Sequence, residues 1–244
     1  MHPTITVVTP TKNASNYISM LISSLESQTS SNFIWLVVDS YSTDDTRELI
    51  KKAQLSNVRF FQQDDFSIYH ALNISLNLIS TPYYLVVGSD DSLTSNSIQL
   101  YLNVLAYSDS PDFIFSAVSR DGTVIYPRKN LGWLYGMHGV GSSHSIGTLI
   151  KTALHGKLGN YSAMFPMLAD SFFVKSALMN GASAVYTDFI AGYYTTNGFS
   201  SKNKFHYLLE FYEVQVRTVR IPFLQFWIFI FRFAKHGLIL WPLR

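Results

Sequence analysis

Four short apolar runs open the chain, and between them lie segments whose apolar residues return every three or four positions. Ile5 to Thr9, Phe33 to Asp39, Val58 to Gln62 and Tyr83 to Val87 are rich in Val, Ile and aromatic residues, which reads as buried strands. Asn16 to Gln28 spaces Ile18, Leu21, Ile22 and Leu25 as a helix does, and Ile68 to Ile79 repeats Leu72, Leu76 and Ile79. Asp44 to Ala53 follows Ser42 and Thr43, residues suited to cap a helix. Strand and helix in alternation predict an α/β fold with parallel strands and right-handed crossovers. Ligands of such sheets lie beyond the carboxyl ends of the strands. Those ends carry Thr9-Pro10-Thr11-Lys12, Asp39-Ser40, Gln63-Asp64-Asp65 and Ser89-Asp90-Asp91, so most of them are acidic.

The later chain is less regular. Phe113 to Val118 and Val124 to Tyr126 read as strands around the Asp121-Gly122 turn, and Ala169 to Asn180 as a helix stopped by Gly181. Gly132 to Gly147 is rich in Gly, Ser and His without a clear period, the pattern of a functional loop or cover. Beyond Glu213 no acid remains, while Arg217, Arg220, Arg232, Lys235 and Arg244 follow. Pro222 can open a helix in which Phe223-Leu224 and Phe226 through Phe231 are apolar nearly all round. Residues 221–244 therefore suit lying in a membrane interface, or docking on the core or on a second subunit. No stretch approaches the roughly 20 apolar residues needed to cross a bilayer.

Composition narrows the field. The 244 residues carry 18 basic and 16 acidic side chains, a net charge of +2, which argues against a nucleic-acid partner. Hydrophobic residues at 48% against charged ones at 14% allow a large core. The absence of cysteine excludes disulfides, thiol catalysis and thiolate-bound zinc. Met1-His2-Pro3 offers no basic region and the first apolar run is too short for a secretory signal, so a cytoplasmic location is expected.

Two carboxylates at one strand end, Asp90 and Asp91, are placed to bridge a divalent cation to phosphate oxygens, although an ordinary acidic turn has the same sequence. Asp39, followed by Ser40, Ser42, Thr43 and Asp44, suits either a helix cap or a contact to a base or ribose. His138, His144 and His155 are spaced too far apart for a compact metal motif.

Taken in order, Val7-Val8-Thr9-Pro10-Thr11-Lys12-Asn13, the acidic and hydroxyl-rich run from Leu36 to Thr46, Asp65-Phe66-Ser67-Ile68-Tyr69-His70-Ala71-Leu72-Asn73 and Gly88-Ser89-Asp90-Asp91-Ser92-Leu93 resemble the family 2 nucleotide-sugar glycosyltransferases of GT-A fold, over most of residues 4 to 200. The resemblance implies a Rossmann-like mixed sheet flanked by helices, with a glycosyltransferase domain over 1–204 and a helical tail over 205–244. Within the domain, 1–93 would be the nucleotide-binding half and 94–204 the acceptor-binding half. It implies that Thr9, Pro10, Thr11, Asp39, Asp65 and Asp90 serve the nucleotide and that Asp91 ligates Mn2+ or Mg2+. Asp170, in Met167-Leu168-Ala169-Asp170-Ser171-Phe172-Phe173, would be the catalytic base, and His144 would lie near the diphosphate and acceptor. The chain departs from the family pattern at Ala169, His70 and Gly88, where acids or Asn are usual.

The implied reaction is inverting transfer from a nucleotide-sugar, UDP favoured, to a saccharide carried on polyprenyl diphosphate, at the inner face of the cytoplasmic membrane. A processive synthase would be expected to show Gln-x-x-Arg-Trp. A sugar-phosphate nucleotidyltransferase would carry a glycine-rich loop where Thr9 to Asn16 has no glycine. A degenerate member that only binds nucleotide-sugar beside an active enzyme is the non-enzymatic alternative.

Overall fold

The first four apolar runs form β1 (Ile5–Thr11), β2 (Phe33–Asp39), β3 (Val58–Gln62) and β4 (Tyr83–Val86) in a computed structural model that describes residues 4–64, 67–195, 204–219 and 221–240. β1 pairs in parallel with both β2 and β4, and β2 with β3. The crossovers are α1 (Ile18–Glu26), α2 (Thr46–Lys52) and α3 (Ile68–Leu78). α2 starts later than its sequence suggested, because the hydroxyl-rich residues before it are engaged elsewhere. The Asp44 carboxylate receives Thr46 N at 3.1 Å, Thr46 Oγ1 at 2.5 Å and Ser15 N at 3.0 Å. Ser42 turns its hydroxyl to Asp39 instead.

After β4 the sheet becomes mixed. After β5 (Ser92–Leu93) and α4 (Ser97–Tyr107) come β6 (Phe113–Arg120), β7 (Thr123–Ile125), α5 (Gly132–Tyr135), β8 (Thr148–Lys151), α6 (Leu154–Leu158), α7 (Ala169–Met179), β9 (Ala184–Tyr194), α8 (Lys204–Arg217) and α9 (Pro222–Leu240). β8 runs antiparallel between β4 and β6, β9 lies parallel to β6, and β5 closes the row antiparallel to β9. The sheet order is β3-β2-β1-β4-β8-β6-β9-β5, with β7 hairpinned on β6. The stretch from Gly132 to Gly147 is not one open loop, since it folds into α5 and two short 3-10 turns at Gly136–Gly139 and Ser145–Gly147.

Side chains alternate across the strands and so build two cores. On one face Ile5, Val7, Trp35, Val37, Leu85 and Ile114 pack against Ile18, Leu21 and Leu25 of α1 and Ile98 and Tyr101 of α4. On the other, Val8, Tyr84, Phe113 and Phe115 meet Tyr69 and Leu72 of α3, Phe173 and Val174 of α7 and Val214 of α8. Burying each large apolar side chain contributes about 1.5–3 kcal/mol.

A directed chain of polar bonds runs through the second core. His155 Nδ1 lies 2.9 Å from the Gly159 carbonyl, which can only accept, so Nδ1 carries the proton. Burial pushes the imidazole down to about 4, only partly opposed by the Gly159 bond, and the ring is therefore neutral at pH 7. Its Nε2 then accepts from the Tyr84 hydroxyl at 2.6 Å, and the Tyr84 oxygen accepts from the Tyr161 hydroxyl at 2.6 Å.

This arrangement fixes a pH dependence. The folded-state value lies below the ordinary 6.5, so the unfolded chain takes up this proton first, and stability is lost as pH falls from about 6.5 towards 4. Denaturant titrations between pH 7 and 4.5 are expected to show that loss. His155→Gln should be less stable at pH 7 but lose less of its stability on acidification, by about one bound proton.

Candidate active site

Because β1 lies between β2 and β4, the connections leave on opposite sides of it and open a crevice beyond the carboxyl ends of these strands. On the β2 side stands Asp39, paired in register with Thr11 and Gln62. It is fully buried, and its carboxylate accepts Thr11 Oγ1 at 2.9 Å, Ser42 N at 2.8 Å and Ser42 Oγ at 2.5 Å. Three donors satisfy the charge and lock the loop after β2. Gln63 approaches the same loop, its Nε2 donating to Ser40 Oγ at 3.1 Å, while its buried Oε1 has no donor among the described residues. Thr9 sits elsewhere: it is fully buried, and its hydroxyl accepts the Trp35 indole N–H at 3.0 Å. Pro10 is half-buried. Asp65 lies outside the described residues.

On the β4 side the chain turns at Gly88 so that Asp91 folds back onto it, Gly88 N donating to Asp91 Oδ2 at 2.9 Å. A Cβ at position 88 would lie 2.8 Å from Asp91 Oδ2 and 2.9 Å from Asp90 Oδ1. Glycine here lets both carboxylates close over the backbone, where a side chain would push them aside. Asp91 is 4% exposed, and burial together with the charge of Asp90 pushes it up to about 7, against the Gly88 bond. Two hard oxygen donors side by side at a buried strand end are chemically suited to a divalent cation. Among the described residues no three His, Asp or Glu side chains form a self-sufficient metal cluster. Such a cation would need further ligands from a bound molecule.

His144 faces this pair. Its Nδ1 stands 3.8 Å from Asp91 Oδ2, is itself buried, and makes no hydrogen bond among the described residues. The ring stacks on Tyr194 at 4.1 Å and 14°, although 30% of the side chain reaches solvent. Burial pushes the imidazole down to about 4 against the opposing charges of Asp170 and Asp90. At neutral pH the contact with Asp91 is hence not an ion pair. What matters is that one ring lies within electrostatic reach of carboxylates from both halves of the chain.

Asp170 opens α7, where the helix dipole favours an acid. Its Oδ1 accepts Ser171 N at 2.7 Å and the Tyr69 hydroxyl at 2.7 Å, that hydroxyl also lying 3.0 Å from the Met167 carbonyl. Among the described residues both bonds fall on Oδ1, and none reaches Oδ2. Asp91 thus lies beside His144, whose ring also feels the charges of Asp170 and Asp90, while Asp39 stands on β2 against Thr11 at the end of β1. Tyr69, Tyr194 and Gln63 belong to this neighbourhood yet received no role from sequence. Tyr69 stood inside a quoted motif and Gln63 at a strand end, whereas nothing local marked Tyr194.

The two buried aspartates should answer oppositely to neutralisation. With chelator present at pH 8, Asp39→Asn is expected to lower the unfolding temperature, since turning an amide towards three donors costs about 1–3 kcal/mol. Asp91→Asn should leave that temperature unchanged or raise it, because its charge is disfavoured above the shifted value of about 7. Thermal unfolding by circular dichroism checks both.

Known proteins share this architecture. Staphylococcus aureus TarS, residues 1–349 in complex with UDP, superposes with a TM-score of 0.67 at 19% identity, covering 93% of this chain and 69% of that one. The mannosyltransferase PcManGT of Pyrobaculum calidifontis, in complex with GDP-Man and Mn2+, gives 0.68 at 17% identity over 90% of this chain and 66% of that one. At such identities the likeness is one of fold. A teichoic acid poly(glycerol phosphate) polymerase of Staphylococcus epidermidis is 32% identical over 109 residues, 43% of this chain. The match covers only 15% of that protein, and 15–16% of the other curated relatives that head the comparison. The sequence profile of glycosyl transferase family 2 matches residues 6–165, from β1 through the buried turn before α7, and the chain belongs to that family and carries its GT-A fold.

Proposed function

We propose that this protein transfers a sugar, with inversion, from a nucleotide-sugar, UDP-linked, to a hydroxyl of a lipid-carried saccharide during surface-polysaccharide or teichoic-acid-type synthesis. The observation that carries the reading is His144, whose Nδ1 lies 3.8 Å from Asp91 and whose ring feels the charges of Asp90 and Asp170, carboxylates separated by some eighty residues of chain. The UDP held by TarS and the GDP-Man and Mn2+ held by PcManGT support donor and cation as classes.

In this reading residues 1–93 receive the nucleotide and 94–204 the acceptor. The Asp39 loop and the open Gln63 Oε1 face the nucleoside, with Thr9 holding β1 from behind through Trp35. Asp91, helped by Asp90, would hold Mn2+ or Mg2+, which when bound there supplies positive charge to the departing diphosphate. His144 Nδ1, buried and unpartnered among the described residues, offers a polar contact to the same region. The Asp170 carboxylate removes the acceptor proton through Oδ2. The freed oxygen bonds to the anomeric carbon as the bond from that carbon to the diphosphate oxygen breaks, and one displacement inverts the centre. General-base help of this kind is worth about two to four powers of ten.

The tail supports a membrane-side setting. Gln225 of α9 anchors inward, donating to the Trp133 carbonyl at 2.7 Å, while Phe223 at 71%, Trp227 at 57% and Phe231 at 71% exposure face outward. Among the described residues no helix is long and apolar enough to cross a membrane, so contact would lie in the interface plane, with the catalytic crevice on the cytoplasmic side.

Nucleotide binding and turnover separate the roles. UDP should raise the unfolding temperature of wild type and of Asp170→Asn only with Mn2+, and Asp91→Asn should lose that metal dependence. Asp170→Asn is expected to lower kcat by about 10²–10⁴. Tyr69→Phe, which deletes one bond to the base, should lower kcat by about tenfold with the donor KM unchanged. Wild-type protein that binds UDP with Mn2+ yet turns over no UDP-sugar, hydrolysis included, would establish the binding-only alternative. Deleting the chain from Ile221 should abolish co-sedimentation with anionic vesicles while sparing transfer to a soluble acceptor.

A further inference from the structure

Lys175, on α7, is 4% exposed, and folding has given its ammonium one neutral partner, the amide oxygen of Gln215 on α8. Among the described residues no carboxylate acts on it: burial pushes it down to about 8, so it is still mostly protonated at pH 7. The partner is already committed. Gln215 Nε2 donates to the Trp133 carbonyl at 2.8 Å, and Gln225 Nε2 donates to the same carbonyl at 2.7 Å. An ammonium carries three N–H donors, and two of these have no acceptor among the described residues. A buried cation left in that condition is costly unless something else completes it.

Beside it lies a cavity of about 680 Å³, which Lys175 lines together with Trp133, Val140, Leu178, Met179 and Leu224. The volume falls in the range of about 300–1,000 Å³ typical of small-molecule sites. The cavity reaches the surface where Met179 at 55% and Leu224 at 40% exposure form its edge, on the side of the outward-facing Phe223 and Trp227. It is separate from the donor crevice. Lys175 stands five residues beyond Asp170 on α7, about 140° further round the helix, and so addresses a different neighbourhood.

We propose that this cavity is a binding site for a single-chain anionic amphiphile, its phosphate or carboxylate head on Lys175 and its hydrocarbon chain along Trp133, Val140, Leu178, Met179 and Leu224. The Lys175 ammonium selects the head. The apolar wall selects the chain, and the position under α9 places the mouth where a molecule leaving a membrane surface arrives. A free anion meets the first condition but leaves the wall hydrated, and a neutral alcohol meets only the second. The inference is independent of glycosyl transfer, since none of these residues belongs to the proposed reaction.

Titration calorimetry and thermal shift of the full chain test it, with dodecyl phosphate below its micellar concentration as the probe and inorganic phosphate and dodecanol as comparators. Saturable one-to-one binding of dodecyl phosphate is expected, at least tenfold tighter than either comparator. Lys175→Met, which keeps the side-chain volume, should weaken that binding at least tenfold while the Mn2+-dependent response to UDP stays as in wild type. Met179→Glu, at an exposed position on the rim, should compete for the ammonium and weaken binding similarly, and it decides the matter if the first variant fails to fold. Equal binding by wild type and a folded variant, or equal binding of inorganic phosphate or of dodecanol, would overturn the proposal.

Discussion

Folding removes Asp91 from water with one backbone N–H as its partner and a second carboxylate beside it, and the rest of the site is organised around that cost. Left alone, a buried carboxylate protonates or destabilises the fold. Here it sits just beyond β4, where the strand connections diverge. Gly88 makes the crowding sterically possible, and the neutral His144 ring closes the far side without neutralising it. Asp39 is the contrast, equally buried but met by three donors, so its charge holds a loop rather than waiting for a partner. Two acids of similar burial therefore do different work because their hydrogen-bond environments differ.

The same economy links the halves of the protein. Tyr69 and Asn73 lie four residues apart on α3 and hence on one face of it. Tyr69 reaches Asp170, and Asn73 exchanges two bonds with the Tyr161 backbone, donating to its carbonyl at 2.9 Å and accepting its N–H at 2.9 Å. α3 thereby sets the position of the proposed base and of the segment leading to it. This gives the segment from Asp65 to Asn73 a physical reason to keep a tyrosine and an amide at that spacing. Beyond Tyr161 the directed chain through Tyr84 and His155 ties the same segment to the sheet, so movement of the base would strain several buried bonds together.

How much could be read in advance depended on the range of the interaction. β1 to β4 were legible as short apolar runs and α1 to α3 by the period of the face each buries, because burial writes itself into the local sequence. β8 and β9 were not: β8 is four residues long, and β9 is half-buried along most of its length without alternation. α4 escaped notice as well, because only Ser97, Ile98 and Tyr101 of its eleven residues are buried, too thin a stripe to register as a period. Among site residues, Asp39, Asp90 and Asp91 were picked out by their addresses at strand ends, and Asp170 by resemblance. His144 was singled out by resemblance, but its stacking on Tyr194, fifty residues away, left no trace in either neighbourhood.

By itself the sequence determined the alternation of strand and helix, the acidic strand ends and the family, since all of these rest on residues close together in the chain. Only the tertiary structure decided that Thr9 turns to Trp35, that Asp39 is satisfied while Asp91 is not, that Tyr69 grips Asp170, and that Lys175 lies buried beside a hollow. The reason is that hydrophobic periodicity records whether a side chain is buried, whereas its charge state and its chemistry depend on which distant groups share that burial. Those partners are chosen when β8 reverses the sheet and the two halves close on one another, an event of long-range packing that no local window contains.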